Sequence, residues 1–195
     1  MVEQIEIKRK VFNVVETLGK KAKKVERKGV YYFYKDFGNE TRQFLDYVEG
    51  FNKLKITGIR VPKIFMYDKA KNVVISEFIE GKTVLEELLE ADLSEKHFEL
   101  AFNTNFYCRQ DKISIDFDPK NFKIFGDKLV YLTMNCDKYN EKWNFEKNHI
   151  VIWFYSREFV KYLKNNFIEI DAARANVDQG EINKKLALMV VKFYK

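Results

Sequence analysis

Cysteine is nearly missing from this chain of 195 residues: only Cys108 and Cys136 occur, far apart and outside any C-x-x-C spacing. Two such residues indicate neither a disulfide framework nor a zinc knuckle, and their scarcity points to a reducing compartment. Histidine is as scarce. Neither His97 nor His149 has a partner at metal-ligand or triad spacing, so both read as ordinary helix or surface residues. An apolar run long enough to span a bilayer is lacking, and the opening MVEQIEIKRK carries charges where a signal peptide needs apolar residues. The chain therefore reads as cytoplasmic, with no membrane partner. No internal repeat or low-complexity linker interrupts it.

What is present is core material and positive charge. With 46% hydrophobic and 16% aromatic residues, the chain can bury one substantial core or two small lobes sharing an interface. Trp143 and Trp153 both read as core residues. Much of the net charge of +6 comes from Lys20, Lys21, Lys23, Lys24, Arg27 and Lys28. Such a cluster attracts nucleotide phosphates or nucleic acid, unless it is a solvated basic turn between strands. No RRM, KH or helix-turn-helix signature supports nucleic acid as the partner.

Strand-like residues dominate the first third. IEIKRKVFNVV, AKKVERKG and VYYFYKDF are separated by Gly19 and Gly29, which predicts an antiparallel meander. From Asn39 to about Lys55 the period changes: Phe44, Val48 and Phe51, with Leu45 and Leu54 alongside, predict an apolar helical stripe capped by Asn39. Gly58 ends that helix, and GIRVPKIFMYD and KNVVISEFIEG predict two more strands. Past Gly81 the pattern is mostly helical, with runs at Leu85 to Leu89, about Ser94 to Tyr107, about Asn144 to Phe167, and Glu181 to Phe193. Between them, NFKIF and LVYLTMN flank a Gly126-Asp127-Lys128 turn and predict a hairpin.

Four pieces in this order resemble the two-lobed protein-kinase-like fold, in particular its small atypical branch of aminoglycoside phosphotransferases, lipopolysaccharide kinases and RIO-type kinases. They are VYYFYKDF, YVEGFNKLKITGIRVPKI, VVISEFIEGKTV and DFDPKN, and the likeness runs from about Val11 to about Leu163. It implies an α+β fold with a β-rich N-lobe over residues 1–81, containing an antiparallel sheet and one helix. A short helical C-lobe over 82–195 carries the catalytic-loop hairpin.

Function follows from the same resemblance as an expectation: ATP-dependent phosphoryl transfer to an unidentified acceptor, with Mg²⁺. Lys35 would bind the ATP phosphates and Glu49 would hold that lysine, with Glu40 the competing glutamate. Backbone groups of Glu77, Phe78 and Ile79 would meet the adenine ring, before Gly81 turns the chain into the second lobe. In the D-x-x-x-x-N spacing of DFDPKN, Asp116 would be the base and Asn121 a metal ligand. A carboxylate and an amide oxygen on one tight loop also suit a hard cation on their own chemistry.

The chain departs from the pattern in three places. Ser114 and Ile115 stand where the family has histidine and glycine, and Gly19 alone occupies the phosphate loop. Where the family's metal-binding aspartate belongs, Thr133, Met134 or Asn135 falls in register. Asn135 would offer one neutral oxygen, and Asp137 would serve only if the chain bulges. The alternative expectation is therefore a pseudokinase-like module for nucleotide binding or protein interaction.

Overall fold

In a computed structural model that describes residues 3–171, 174 and 177–194, the chain folds as a mixed α+β structure around a six-stranded antiparallel sheet. The strands are β1 (Gln4–Ile7), β2 (Lys10–Gly19), β3 (Ala22–Arg27), β4 (Val30–Asp36), β5 (Ile64–Asp68) and β6 (Val73–Glu77), in the order β1-β2-β3-β4-β6-β5. The stretch IEIKRKVFNVV, expected as one strand, is a hairpin. Lys8 and Arg9 both adopt left-handed backbone, with φ of 47° and 64°, and fold β1 back onto β2. Such turns usually announce themselves with Asn-Gly or Asp-Gly, and here no such residue marks the site.

Helix α1 (Thr41–Leu54) connects β4 to β5. Asn39 does not cap it: the N-cap is Glu40, whose side chain makes no capping bond. Its buried stripe is Phe44, Tyr47, Gly50 and Leu54, while Val48 and Phe51 flank it and Leu45 is exposed. Gly50 decides that rotation. A Cβ at this position would overlap the carbonyl oxygen of Met134, so only glycine lets the helix lie against that backbone. Past the helix, Thr57 Oγ1 donates to Leu54 O at 2.7 Å and accepts from Ile59 N–H at 3.1 Å, which sets the turn toward β5.

The second half opens with α2 (Val84–Glu90), started by a capping box in which Thr83 and Glu86 satisfy each other's backbone N–H groups. Helix α3 (Glu95–Gln110) follows, then β7 (Ile113–Ser114), the hairpin β8 (Phe122–Phe125) and β9 (Lys128–Tyr131), and β10 (Asp137–Lys138), which pairs with β7. The run expected as one helix over 144–167 divides into a π turn at Phe145–His149, a 3-10 turn at Ile150–Trp153 and α4 (Arg157–Asn165). Ser156 Oγ caps α4 by accepting from Phe159 N–H, so the break is a built corner. Helix α5 (Gln179–Phe193) closes the described chain.

One large core joins residues from both sides of residue 81. Phe44, Leu54 and Val74 meet Phe102, Phe122 and Trp153 in a single cluster, while Ile7, Phe12, Val25 and Ile75 fill a smaller one on the sheet. Trp153 is fully buried and donates its indole N–H to Phe117 O at 2.8 Å, whereas Trp143 is 56% exposed and lies edge-on to His149. Burying an indole with its N–H satisfied avoids the penalty of an orphaned donor. Cys108 and Cys136 are both free thiols.

Gly50→Ala would normally stabilise a helix interior by up to about 1 kcal/mol. Here the overlap is with backbone that cannot rotate away, so we expect a net loss of about 2–3 kcal/mol in urea unfolding. Gly19→Ala, whose Cβ would meet nothing within 4 Å, is the control and should change stability little.

Candidate functional site

The segment Asp116 to Asn121 is a tight, internally bonded loop between β7 and β8. Asn121 Nδ2 donates to Asp116 Oδ2 at 3.0 Å and to the Asp116 carbonyl at 3.4 Å, and Asp118 N–H donates to Asp116 Oδ1 at 3.0 Å. The Asp116 carboxylate is thereby oriented although its side chain is 56% exposed. Tyr131 locks the loop from behind: its hydroxyl accepts from Asp116 N–H at 3.3 Å and donates to Asn135 O at 2.9 Å. Burial pushes the Tyr131 phenol up to about 12. Tyr131 therefore stays a neutral donor across the ordinary pH range.

Asp118 faces the other way and is buried. Its carboxylate accepts from Lys120 N–H at 3.1 Å, from Tyr162 Oη at 2.8 Å and from Lys120 Nζ at 2.7 Å, so a buried charge is fully partnered. His149 completes the surroundings of Asp116. Its ring is buried, with Nδ1 3.3 Å from Asn144 O and Nε2 3.7 Å from Asp116 Oδ1. Neither Tyr162 nor His149 carried a signal in the sequence, because each comes from a distant element: Tyr162 from α4, which packs on α2 through Phe159 and Leu163, and His149 from the turn that precedes Trp153.

Lys35 projects from β4 on the sheet face that α1 covers, opposite Val74 of β6. Its ammonium lies over the rings of Tyr47 at 4.5 Å and Phe37 at 5.0 Å. Among the described residues no carboxylate forms an ion pair with it. Glu49, expected to hold Lys35, pairs instead with Lys53 at 2.7 Å on the exposed side of α1, and Glu40 pairs with Lys21 at 2.6 Å. Burial lowers the pKa of Lys35, and the charge of Lys21 lowers it further. Burial also pushes the Tyr47 phenol up to about 12, so Tyr47 offers a ring and not an anion.

The remaining expected residues fall in two further places. Asn135 and Asp137 line a polar pocket of 430 Å³ that also contains Asp46, Glu49 and Lys53. At Glu77 to Ile79, the segment is crossed by two lysines. Lys123 Nζ donates to Ile79 O at 3.1 Å, and Lys24 lies over the Phe78 ring at 4.5 Å and 3.7 Å from Glu80. The Glu77 carboxylate turns to Arg60, with contacts of 2.6 and 2.5 Å. Loss of hydration lowers the pKa of Lys123.

Magnesium seeks oxygen ligands, usually one or two carboxylates plus substrate phosphates. Among the described residues no three His, Cys, Asp or Glu side chains converge on one point. Asp116 and Asn121 provide one carboxylate and one amide, Met134 is fully buried, and Asn135 and Asp137 face the other pocket. Asp116 and Asn121 would thus hold a magnesium ion by one carboxylate and one amide oxygen, with the remaining ligands coming from substrate phosphates and water, and Asn135 and Asp137 would take no part. The basic cluster is also partly spent: Lys21, Lys23 and Lys24 pair with Glu40, Glu3 and Glu80. Among the described residues, no helix is long and apolar enough to cross a membrane.

Lys35→Met tests the burial of that charge. Below the lowered folded pKa both states hold the proton, so the full cost of burying the ammonium is present, and the methionine variant should melt higher at pH 7. As pH rises through the folded pKa toward the free-lysine value of 10.5, the unfolded state binds the extra proton. Wild-type stability then rises relative to the variant. Melting temperatures of the two proteins should converge over that window.

The chain matches no family model and no curated protein.

Proposed function

We propose that the chain is a kinase-like protein that acts as a binding module and not as a phosphotransferase. The observation that carries this reading is the position of Lys35: its ammonium rests on the rings of Tyr47 and Phe37, while Glu49 is engaged by Lys53 on the other side of α1. A phosphate-binding lysine needs a carboxylate that holds it in place and leaves its donors free. One further feature supports the reading: Lys123 occupies the Ile79 carbonyl, a backbone acceptor that adenine would otherwise meet. The sheet order and the closed Asp116–Asn121 loop support the kinase-like part of the proposal.

The second reading, ATP-dependent phosphoryl transfer with Asp116 as base, has one specific observation in its favour. Asp116 is exposed yet oriented by Asn121 and by Asp118 N–H, which is how a general base is presented to an attacking hydroxyl. Such a base would remove the acceptor's proton as its oxygen attacks the γ-phosphorus. Its substitution should lower turnover and leave nucleotide affinity intact.

Thermal melting with 1 mM ATP and Mg²⁺ separates the two. A dissociation constant near 10 μM would stabilise the fold by about 2.7 kcal/mol, a shift of several degrees for a chain of this size. The binding-module reading expects less than about 0.1 kcal/mol, as for a constant above about 10 mM. A clear shift, together with loss of ATP-dependent phosphorylation or hydrolysis in Asp116→Asn, would replace it with the enzyme.

A further inference from the structure

A groove of 1130 Å³ runs between the turn after α1, helix α3 and the β8–β9 turn, and shares Glu77 and its partner Arg60 with the candidate site. Its walls include three large apolar side chains left in water: Ile56 is 82% exposed, Phe65 53% and Tyr107 41%. An Ile at that exposure in an ordered turn is not needed for the core, and exposed apolar patches of this kind mark binding surfaces.

The groove is preformed. Gly58 lies so close to the Tyr107 ring that any Cβ would overlap it, which seats the turn on α3. Thr57 closes the turn, Arg60 is bound by both Glu77 carboxylate oxygens, and Tyr131 N–H donates to Arg60 O at 2.8 Å. A groove held in this way loses little conformational entropy when filled.

Charge identifies the occupant. Lys55, Lys63 and Lys128 stand on the rim, exposed, and no side-chain ammonium of theirs pairs with a carboxylate among the described residues; Lys55 reaches Asn52 Oδ1 at 2.7 Å and lies over the Phe51 ring at 5.6 Å. Asp127 is the opposing charge, since Glu77 is neutralised by Arg60. Three lysines against one aspartate leave a positive rim around an apolar floor. We infer that this groove docks an acidic segment of a partner protein, with leucine or aromatic side chains on the floor and carboxylates at the three lysines. The inference deepens the binding-module reading by naming the chemistry of the partner.

Peptide display against the folded 195-residue chain tests it, with the triple variant Lys55→Glu, Lys63→Glu, Lys128→Glu and the single variant Ile56→Asp as counter-targets. All four positions are exposed, so the variants should keep the wild-type circular dichroism and melting temperature. The expected result is enrichment of acidic peptides with aliphatic or aromatic anchors, each losing roughly tenfold or more in affinity on both counter-targets. Basic peptides, peptides indifferent to both variants, or no enrichment would overturn the proposal. So would sedimentation showing that Ile56→Asp abolishes self-association, which would make a second copy the occupant. Binding of the wild type to vesicles with 30% anionic lipid, lost in the triple variant, would assign the surface to membranes instead. ATP binding measured on the same proteins is independent of all these outcomes, so a failure of the groove and a failure of the binding-module reading are told apart.

Discussion

Contact between α1 and the backbone at Met134 governs which side chains surround Lys35. With Gly50 turned inward, the helical period places Tyr47, three residues earlier, on the same face, where it meets Lys35. Glu49 is one residue and about 100° away, and its neighbour on that side is Lys53, four residues on. Moving Glu49 inward would require rotating α1 and driving a side chain into the Met134 carbonyl. One missing Cβ thus fixes which side chains share the space above β4, and Lys35 is left with aromatic faces.

The loop at Asp116 depends on the core in a different way. Phe117 and Phe122, on either side of the 119–121 turn, stack on each other at 5.5 Å and are pinned by Trp153. With both ring-bearing residues buried, the intervening turn is largely withdrawn from water, and its polar groups satisfy one another through Asp116, Asp118 and Asn121. Burial of Asp118 is tolerated because Tyr162 and Lys120 supply donors to it. The same geometry that would present a base therefore also carries polar backbone over an aromatic cluster with its hydrogen bonds satisfied.

Positive charge is handled by rings and carbonyls as much as by acids. Lys24 lies over Tyr31 and Phe78, Lys35 over Tyr47 and Phe37, and Lys123 against a carbonyl oxygen. Lysine stems cover apolar surface while their heads find partial negative charge on ring faces. The lysines at the groove beside α3 differ, since their heads are exposed and lack carboxylate partners among the described residues.

Local chemistry was enough to read most elements from the sequence: the meander of strands, the helix after Asn39, the β8–β9 hairpin and the Asp116–Asn121 spacing all rest on short-range period and turn residues. The Lys8–Arg9 hairpin was not legible, because both residues adopt left-handed backbone without the glycine or asparagine that normally signals it. The division of 144–167 was hidden as well, since its breaks are made by tertiary packing around Trp153 and by the Ser156 cap. Which residues face Lys35, which surround Asp116 and where Glu49 points were decided only by tertiary structure. Each depends on the rotation of a helix about its axis or on contacts between distant segments. A pattern of residue types constrains that rotation loosely until a close approach such as Gly50 against Met134 selects one angle.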